Sequence, residues 1–265
     1  SSCIPKKYHM SLEVPHSRKN AVDFFIRYID ENRSWLKNKH VYDISSGSGY
    51  IAHKFAEAGA VVRLYDLFPA QNTLSNLVCE NIDLQNQFPI EDNAADLVIC
   101  AETIEHLPDQ HFFFKEVSRI IKPGGIFILT TPNPSSLRSR LSQFLMESEH
   151  YSHPAPNETD AFTKWDNSND GYFNKLFISG VLRLRTLAAL QHLHIKQIHH
   201  SPKSSTSALL LIFYPLIYFF SRKNLKKQLR RNPQQADIYK EIFSINTSMN
   251  VLLGKHLIIE FTRSI

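Results

Sequence analysis

The stretch 40–69, HVYDISSGSGYIAHKFAEAGAVVRLYDLFP, limits what the chain can fold into more than any other. Val41, Tyr42 and Ile44 run into a loop of small residues, Ser45-Ser46-Gly47-Ser48-Gly49. An alanine-rich amphipathic segment follows over 50–58 and stops at Gly59. A second apolar run, 61–65, ends on Asp66. The order is strand, glycine loop, helix, strand, carboxylate. Glycines let a backbone pass close to a ligand, and the helix N-terminus faces whatever sits there. An acid about 20 residues beyond such a loop can accept from both hydroxyls of a ribose. The plain alternative is a β-α-β crossover with an ordinary glycine turn.

The flanking segments repeat the alternation of strands and helices. Val22, Phe25, Ile26 and Ile29, then Trp35 and Leu36, have helical spacing, so a helix is expected over 18–38. Pro69 suits a helix first turn, and Leu74, Leu77 and Val78 would continue it. Ile82 and Leu84 read as a brief third strand. Residues 96–101, DLVICA, are apolar after one acid, the reading of a parallel strand covered on both faces. A helix over 109–121, a Lys122-Pro123-Gly124-Gly125 turn and a strand over 126–131 follow. Beyond 135 the spacing predicts helices over 139–146 and 176–192, a long loop or lid over 147–174, and strands over 195–198 and 256–261.

Composition narrows the class. The 265 residues are 43% hydrophobic and 21% charged, a globular balance. Cys3, Cys79 and Cys100 show no metal-binding spacing, and Cys100 lies in an apolar run, so a reducing compartment is expected. The opening SSCIPKKYHM holds no apolar core of the kind a secretory leader needs, and a cytoplasmic location is the expectation. The net charge of +5 is uneven. Residues 133–265 carry 17 Lys and Arg against 9 Asp and Glu. Arg222, Lys223, Lys226, Lys227, Arg230 and Arg231 follow one another with no acid between them, directly after the apolar run 208–220, ALLLIFYPLIYFF. That run is too short to span a bilayer. Apolar surface beside cations reads as a membrane-surface element over 208–231, or else as a core helix followed by a solvated one.

The segments VYDISSGSG (41–49), VVRLYD (61–66), NIDLQNQFPIEDNAADLVICAETIEHL (81–107) and IIKPGGIFILTTPN (120–133) resemble, in order and spacing, the class I S-adenosylmethionine-dependent methyltransferases of the broad bacterial small-molecule type. LLGKHLIIEF (252–261) is similar to that family's last antiparallel strand. The resemblance implies an α/β, doubly wound, Rossmann-like sheet of seven strands in the order 3-2-1-4-5-7-6. The last strand would be antiparallel, with helices on both faces and a helical insertion before it. It further implies one methyltransferase domain over 1–265. Residues 40–133 would bind the cofactor, and 1–39, 135–180 and 202–250 would form the acceptor cap.

The cofactor implied is S-adenosylmethionine. By the same resemblance Gly47 and Gly49 would admit its methionine part, and Asp43 would orient the loop and the amino group. Asp66 would accept from the ribose hydroxyls, and Leu67 would pack on adenine. Asp83 would accept from the adenine amine with Leu84 beside the ring. Ala101 and Glu102 would lie near the sulfonium and its methyl. Ser45 stands where the family usually has glycine, which a negative φ would accommodate. The loop also reads G-x-G-x-x-A, so a nicotinamide dinucleotide is the competing ligand by that motif alone.

Glu102-Thr103-Ile104-Glu105-His106 carries the remaining chemistry. His106 is the candidate general base for a hydroxyl acceptor, or else a structural histidine of this loop. The E-x-x-E-H string could also hold a divalent metal, but no metal is expected. The expected reaction is methyl transfer to an oxygen of a small molecule or a glycan or lipid-linked intermediate. A binding protein of this fold with weak or no turnover, and an RNA methyltransferase, are the alternatives. No RNA-binding aromatic motif accompanies the basic run, so nucleic acid is not the expected partner.

Overall fold

The computed structural model describes residues 19–73, 77–148, 156–164 and 171–264. Short apolar strands and amphipathic helices alternate through its first half. They are α1 (Lys19–Leu36), β1 (His40–Asp43), α2 (Tyr50–Glu57), β2 (Val61–Asp66), β3 (Cys79–Asn81), β4 (Ala95–Ala101), α3 (Gln110–Ile120) and β5 (Ile121–Pro132). Then come α4 (Leu137–Met146), a small hairpin of β6 (Phe162–Lys164) and β7 (Gly171–Phe173), α5 (Val181–Ala189) and β8 (Leu193–Ile198). A helical stretch of α6 (Ser205–Leu209), α7 (Tyr214–Arg231), α8 (Ala236–Thr247) and α9 (Met249–Leu253) leads to β9 (His256–Arg263).

The main sheet runs β3-β2-β1-β4-β5-β9-β8. Counted by sheet strands alone this is the expected 3-2-1-4-5-7-6, and β9 is antiparallel to both neighbours. Strand alternation divides the core between the faces. Val98, Cys100, Phe127, Leu129, Ile259 and Phe261 meet α3 and α5 on one side. Leu97, Ile99, Ile126, Ile128 and Ile258 meet α1 and α2 on the other. Both sets are buried, which is why β4 and β5 read as unbroken apolar runs. Phe127 and Phe261 stack across the β5–β9 pair at 5.7 Å, with Phe114 edge-on to Phe261 and Phe113 tilted against Phe127.

Several boundaries move. The third strand is Cys79–Asn81, and Ile82 and Leu84 follow it as buried residues rather than forming it. After Pro69 there is a single 3₁₀ turn, Pro69–Gln71, and Val78 is exposed coil; Leu74 lies outside the described residues. The Lys-Pro-Gly-Gly turn is a bulge inside β5. Ile121 pairs with Ala95 and Ile126 with Leu97, so four residues are looped out opposite one, with Gly124 at φ 75°. The long loop over 147–174 contains the β6–β7 hairpin. The helix expected over 176–192 is confined to Val181–Ala189, because 176–180 is extended and bonds back to the β4 loop.

The chain from 199 to 255 leaves the sheet after β8 and returns as the neighbouring β9. Asn133, just past β5, pins that return. Its amide donates to Val251 O and Gly254 O, both at 2.8 Å, and its own oxygen accepts from Ser135 N at 3.0 Å. The Asn133 side chain is buried, so loss of the amide strands two carbonyls away from water. Asn133→Ala should lower the unfolding free energy by about 2–4 kcal/mol in urea titration. A change below about 0.5 kcal/mol would mean the insertion is held elsewhere.

Candidate functional site

The carboxyl ends of β1 and β4 diverge where the strand order reverses, the place where open α/β sheets bind ligands. A cleft of about 270 Å³ opens there, lined among others by Ser45, Asp66, Leu67, Asp83, Leu84, Glu102, Thr103 and His106. Phe68, Gln71, Ile82 and Tyr172 line it too, and the sequence marks none of these as a site residue. Tyr172 belongs to the β6–β7 hairpin, whose pattern is too short to read, and its ring lies 5.7 Å from Phe68 and 6.4 Å from His106.

The glycine loop is shaped as the motif requires. Gly47 and Gly49 both have positive φ, 51° and 77°. A Cβ at Gly49 would come within 2.6 Å of Asn72 Oδ1. The Gly47 amide donates to Asp66 Oδ2 at 2.8 Å and the Phe68 amide to Asp66 Oδ1 at 2.9 Å. Each oxygen keeps a second acceptor position, enough for two adjacent hydroxyls. Ser45 is not among the residues with positive φ. Its Oγ accepts from the Ala101 amide at 2.8 Å, and its own amide donates to Asp43 Oδ1 at 3.2 Å. The serine therefore adds a bond between the β1 and β4 ends in place of the freedom a glycine would supply.

The other expected cofactor residues divide. Asp83 lines the cleft and organises its own turn, accepting from Gln85 N at 3.0 Å and Asn86 Nδ2 at 2.7 Å. Asp43, Gly47, Gly49 and Ala101 do not line the cleft and act on it from behind or through backbone. His106 ends a 3₁₀ turn, Ile104–His106, and its Nδ1 lies 2.8 Å from Phe173 O. A carbonyl only accepts, so Nδ1 carries a proton and donates it to Phe173 O.

Beside the cleft sits a charge cluster that spacing could not reveal, because its members come from four segments. Glu102, itself at φ 53°, takes a hydrogen bond from Thr130 Oγ1 at 3.0 Å and pairs with His256 Nδ1 at 3.1 Å. Glu105 is fully buried. Its Oε2 accepts from Thr131 Oγ1 at 3.0 Å, and its Oε1 has no hydrogen-bond donor but faces the Lys175 ammonium at 3.5 Å. Lys175 also lies 3.9 Å from Glu102. Burial works against the Glu102 anion, but His256, Lys175 and the Thr130 hydroxyl outweigh it and hold the carboxyl below its ordinary range. Burial and then the Glu102 charge push Glu105 up to about 7, with Lys175 pulling partly the other way. Among the described residues no group of three or more His, Cys, Asp or Glu side chains is placed to hold a metal ion.

Comparison with known proteins agrees with this geometry. Residues 42–129 match the family described as "Methyltransferase domain". The "Ubiquinone biosynthesis O-methyltransferase" of Acinetobacter baumannii strain ACICU is 32% identical over 118 residues, 41% of this chain and 50% of that protein. A crystal structure of a "SAM dependent methyltransferase" from Archaeoglobus fulgidus superposes with a TM-score of 0.53 at 12% identity, over 93% of this chain and 97% of that one. The [4+2]-cyclase SpnF superposes with a TM-score of 0.51 at 15% identity, over 92% and 81%. These two structures share the fold. The sheet order, with the segment matched over 42–129, is that of the class I S-adenosylmethionine-dependent methyltransferase fold. The chain spans about half the length of the curated relatives it matches.

The raised pKa of Glu105 has a sign that can be measured. A carboxyl whose folded pKa lies above its unfolded value binds its proton more tightly when folded. Its contribution is therefore favourable in acid and is lost as pH rises from the ordinary glutamate range through about 7. Glu105→Gln should gain stability relative to the parent between about pH 5 and about pH 8, by on the order of 2 kcal/mol. Urea titrations at the two pH values read the difference. An identical gap at both would show that Glu105 ionises as it does in water.

Proposed function

We propose that the chain transfers a methyl group from S-adenosylmethionine to an oxygen of a small-molecule acceptor, with glycan and lipid-linked intermediates included in that class. The observation that carries the reading is Asp66, held at the end of β2 by two backbone amides and lining the cleft beside the glycine loop. In this reading Asp66 accepts from the ribose hydroxyls and Leu67 and Leu84 flank the adenine. Asp83 takes the adenine amine. Asp43, Ser45, Gly47 and Gly49 shape the loop around the methionine part, and Ala101 and Glu102 lie beside the methyl group. The residues present suit that ligand: both glycines are in the left-handed region, where a side chain would be strained, and a Cβ at Gly49 would press on the Asn72 side chain.

The cofactor supplies a methyl carbon already activated on a sulfonium, so the protein's task is to position the acceptor and receive its proton. His106 suits the second part. With Nδ1 donating to Phe173 O, the lone pair on Nε2 can take the proton an acceptor hydroxyl gives up. The hairpin residue Tyr172 beside it supports a cap drawn from 135–180, with 1–39 and 202–250 completing a single domain around the core. The curated relative named as an O-methyltransferase supports oxygen over nitrogen or carbon. The apolar and basic run 208–231 favours the lipid-linked members of the acceptor class and a cytoplasmic, membrane-associated location. A binding protein of the same fold without turnover is the second reading, and the [4+2]-cyclase among the fold's relatives shows that the fold does not dictate the reaction.

Calorimetric titration with S-adenosylmethionine tests the site. Asp66→Ala should weaken binding at least tenfold, roughly 1.4 kcal/mol or more. Unchanged affinity would remove the cofactor assignment. His106→Ala should leave cofactor affinity within about twofold while transfer of labelled methyl to a hydroxyl acceptor falls roughly 10²-fold or more. Equal turnover would return His106 to a structural role. No transfer to any acceptor by the parent chain would favour the binding-protein reading.

A further inference from the structure

The segment Ser205–Arg231 is helical over 27 residues, with α6, one 3₁₀ turn and α7 end to end. Among the described residues it is the one helix long and apolar enough to cross a membrane, and only 6% of its apolar stretch is buried. The exposed side chains are ordered. Leu209, Ile212, Phe213, Leu216, Phe219 and Phe220 recur at intervals of three and four, and Lys223, Lys226, Lys227 and Arg230 continue the same series. At roughly 3.6 residues per turn these ten positions fall within about 140° of arc. One face is thus apolar for about 18 Å and cationic beyond it.

The opposite stripe, Tyr214, Ile217, Ser221, Leu225 and Leu229, is half-buried. It turns toward α8, where Tyr218 meets Phe243 at 5.5 Å and Ser221 Oγ accepts from Asn246 Nδ2 at 3.4 Å. The other end is tied to α4, whose Arg138 amide donates to Ser207 Oγ at 3.1 Å. α4 also packs against the 3₁₀ turn, and its last turn adds Phe144, Leu145 and Met146 to the exposed apolar side chains. α4 follows the carboxyl end of β5, the edge of the sheet on which the cleft opens.

We propose that this face docks in the plane of an anionic membrane surface. Topology excludes a crossing. The segment leaves from β8 and returns to β9, which pair in one sheet, so a single crossing would leave the two strands on opposite sides of the bilayer. The return helix α8 has 12 residues, about 18 Å, against a hydrocarbon core of about 30 Å. An in-plane helix needs an apolar face to enter the headgroup boundary and cations to meet anionic lipid, and both lie on this exposed stripe. The charge selects the partner: six cations over 222–231 without one acid match a surface of anionic headgroups. The purpose, access of a lipid-linked acceptor to the cleft, rests on the reading above. The docking itself does not.

The test is sedimentation of the full chain with vesicles of phosphatidylcholine and phosphatidylglycerol in equal parts, against vesicles of phosphatidylcholine alone. Binding to the anionic vesicles is expected to be at least tenfold stronger and to weaken with added salt. The double variants Lys226→Glu/Lys227→Glu and Leu216→Asp/Phe220→Asp should each lose at least tenfold while keeping parent affinity for S-adenosylmethionine, which shows that they fold. No binding to anionic vesicles, or equal binding by parent and both variants, overturns the proposal. So does a parent dimer that Leu216→Asp/Phe220→Asp dissociates without any vesicle binding, because a second copy then covers the face. Tight binding to an RNA homopolymer in place of vesicles, abolished by Lys226→Glu/Lys227→Glu, overturns it in favour of nucleic acid. Vesicle binding by a chain that does not bind S-adenosylmethionine supports the docking surface and removes the methyltransferase reading alone.

Discussion

The hydrogen bond from the Gly47 amide to the Asp66 carboxylate ties the loop after β1 to the end of β2. The rest of the cleft is arranged around that tie. Parallel pairing sets the two strand ends side by side, with Asp43 opposite Leu64 in register. The loop must then double back tightly to enter α2, which requires the left-handed conformations at Gly47 and Gly49. On the other side of β1 the Ser45 hydroxyl makes the matching tie to β4. Three adjacent strand ends are thus held by side chain-to-backbone bonds across the point where the sheet order reverses, and a ligand there meets a preformed surface.

Charge is placed against this frame in two different ways. Asp66 and Asp83 accept from nearby amides in a cleft open to water, an arrangement suited to neutral donors such as hydroxyls and an amine. Glu102 and Glu105 are buried together with Lys175 and His256 a few ångströms away. Two carboxylates served by one ammonium cannot both ionise readily in a low dielectric, so Glu102 holds the negative charge and Glu105 retains its proton to higher pH. Environments that push two like groups apart are common beside reacting centres. The exposed 205–231 face carries charge in a third way, in the open and of one sign, away from the packed fold.

Much of this was legible in the chain because it is local. The glycine loop, the acid that ends β2 and the unbroken apolar runs of β4 and β5 are each set by neighbours within a few residues. The sheet order followed from the resemblance they carry, and β9 pairs as that resemblance implied. What failed was also local but weak. Ile82 and Leu84 alternate like a strand, yet they are apolar because they are buried after β3, and Ile82 helps wall the cleft. The Lys-Pro-Gly-Gly run has the chemistry of a turn, and β5 absorbs it as a bulge because Ile121 and Ile126 both have partners on β4.

By itself the sequence determined the nucleotide-type β-α-β unit, the placement of Asp66 and the apolar-then-basic order of 208–231, because each depends on residues adjacent in the chain. Only the tertiary structure decided the rest. Lys175 and His256 reach Glu102 from 73 and 154 residues away, and Phe173 accepts from His106 Nδ1 from 67 away, separations that no periodicity reports. Whether 208–231 is core or surface is likewise not a property of its composition. It became surface because α8 and α4 cover one side of that helix and leave Leu209 to Phe220 outward. The sheet cannot shelter it, since its two faces are already filled by α1 and α2 on one side and α3 and α5 on the other.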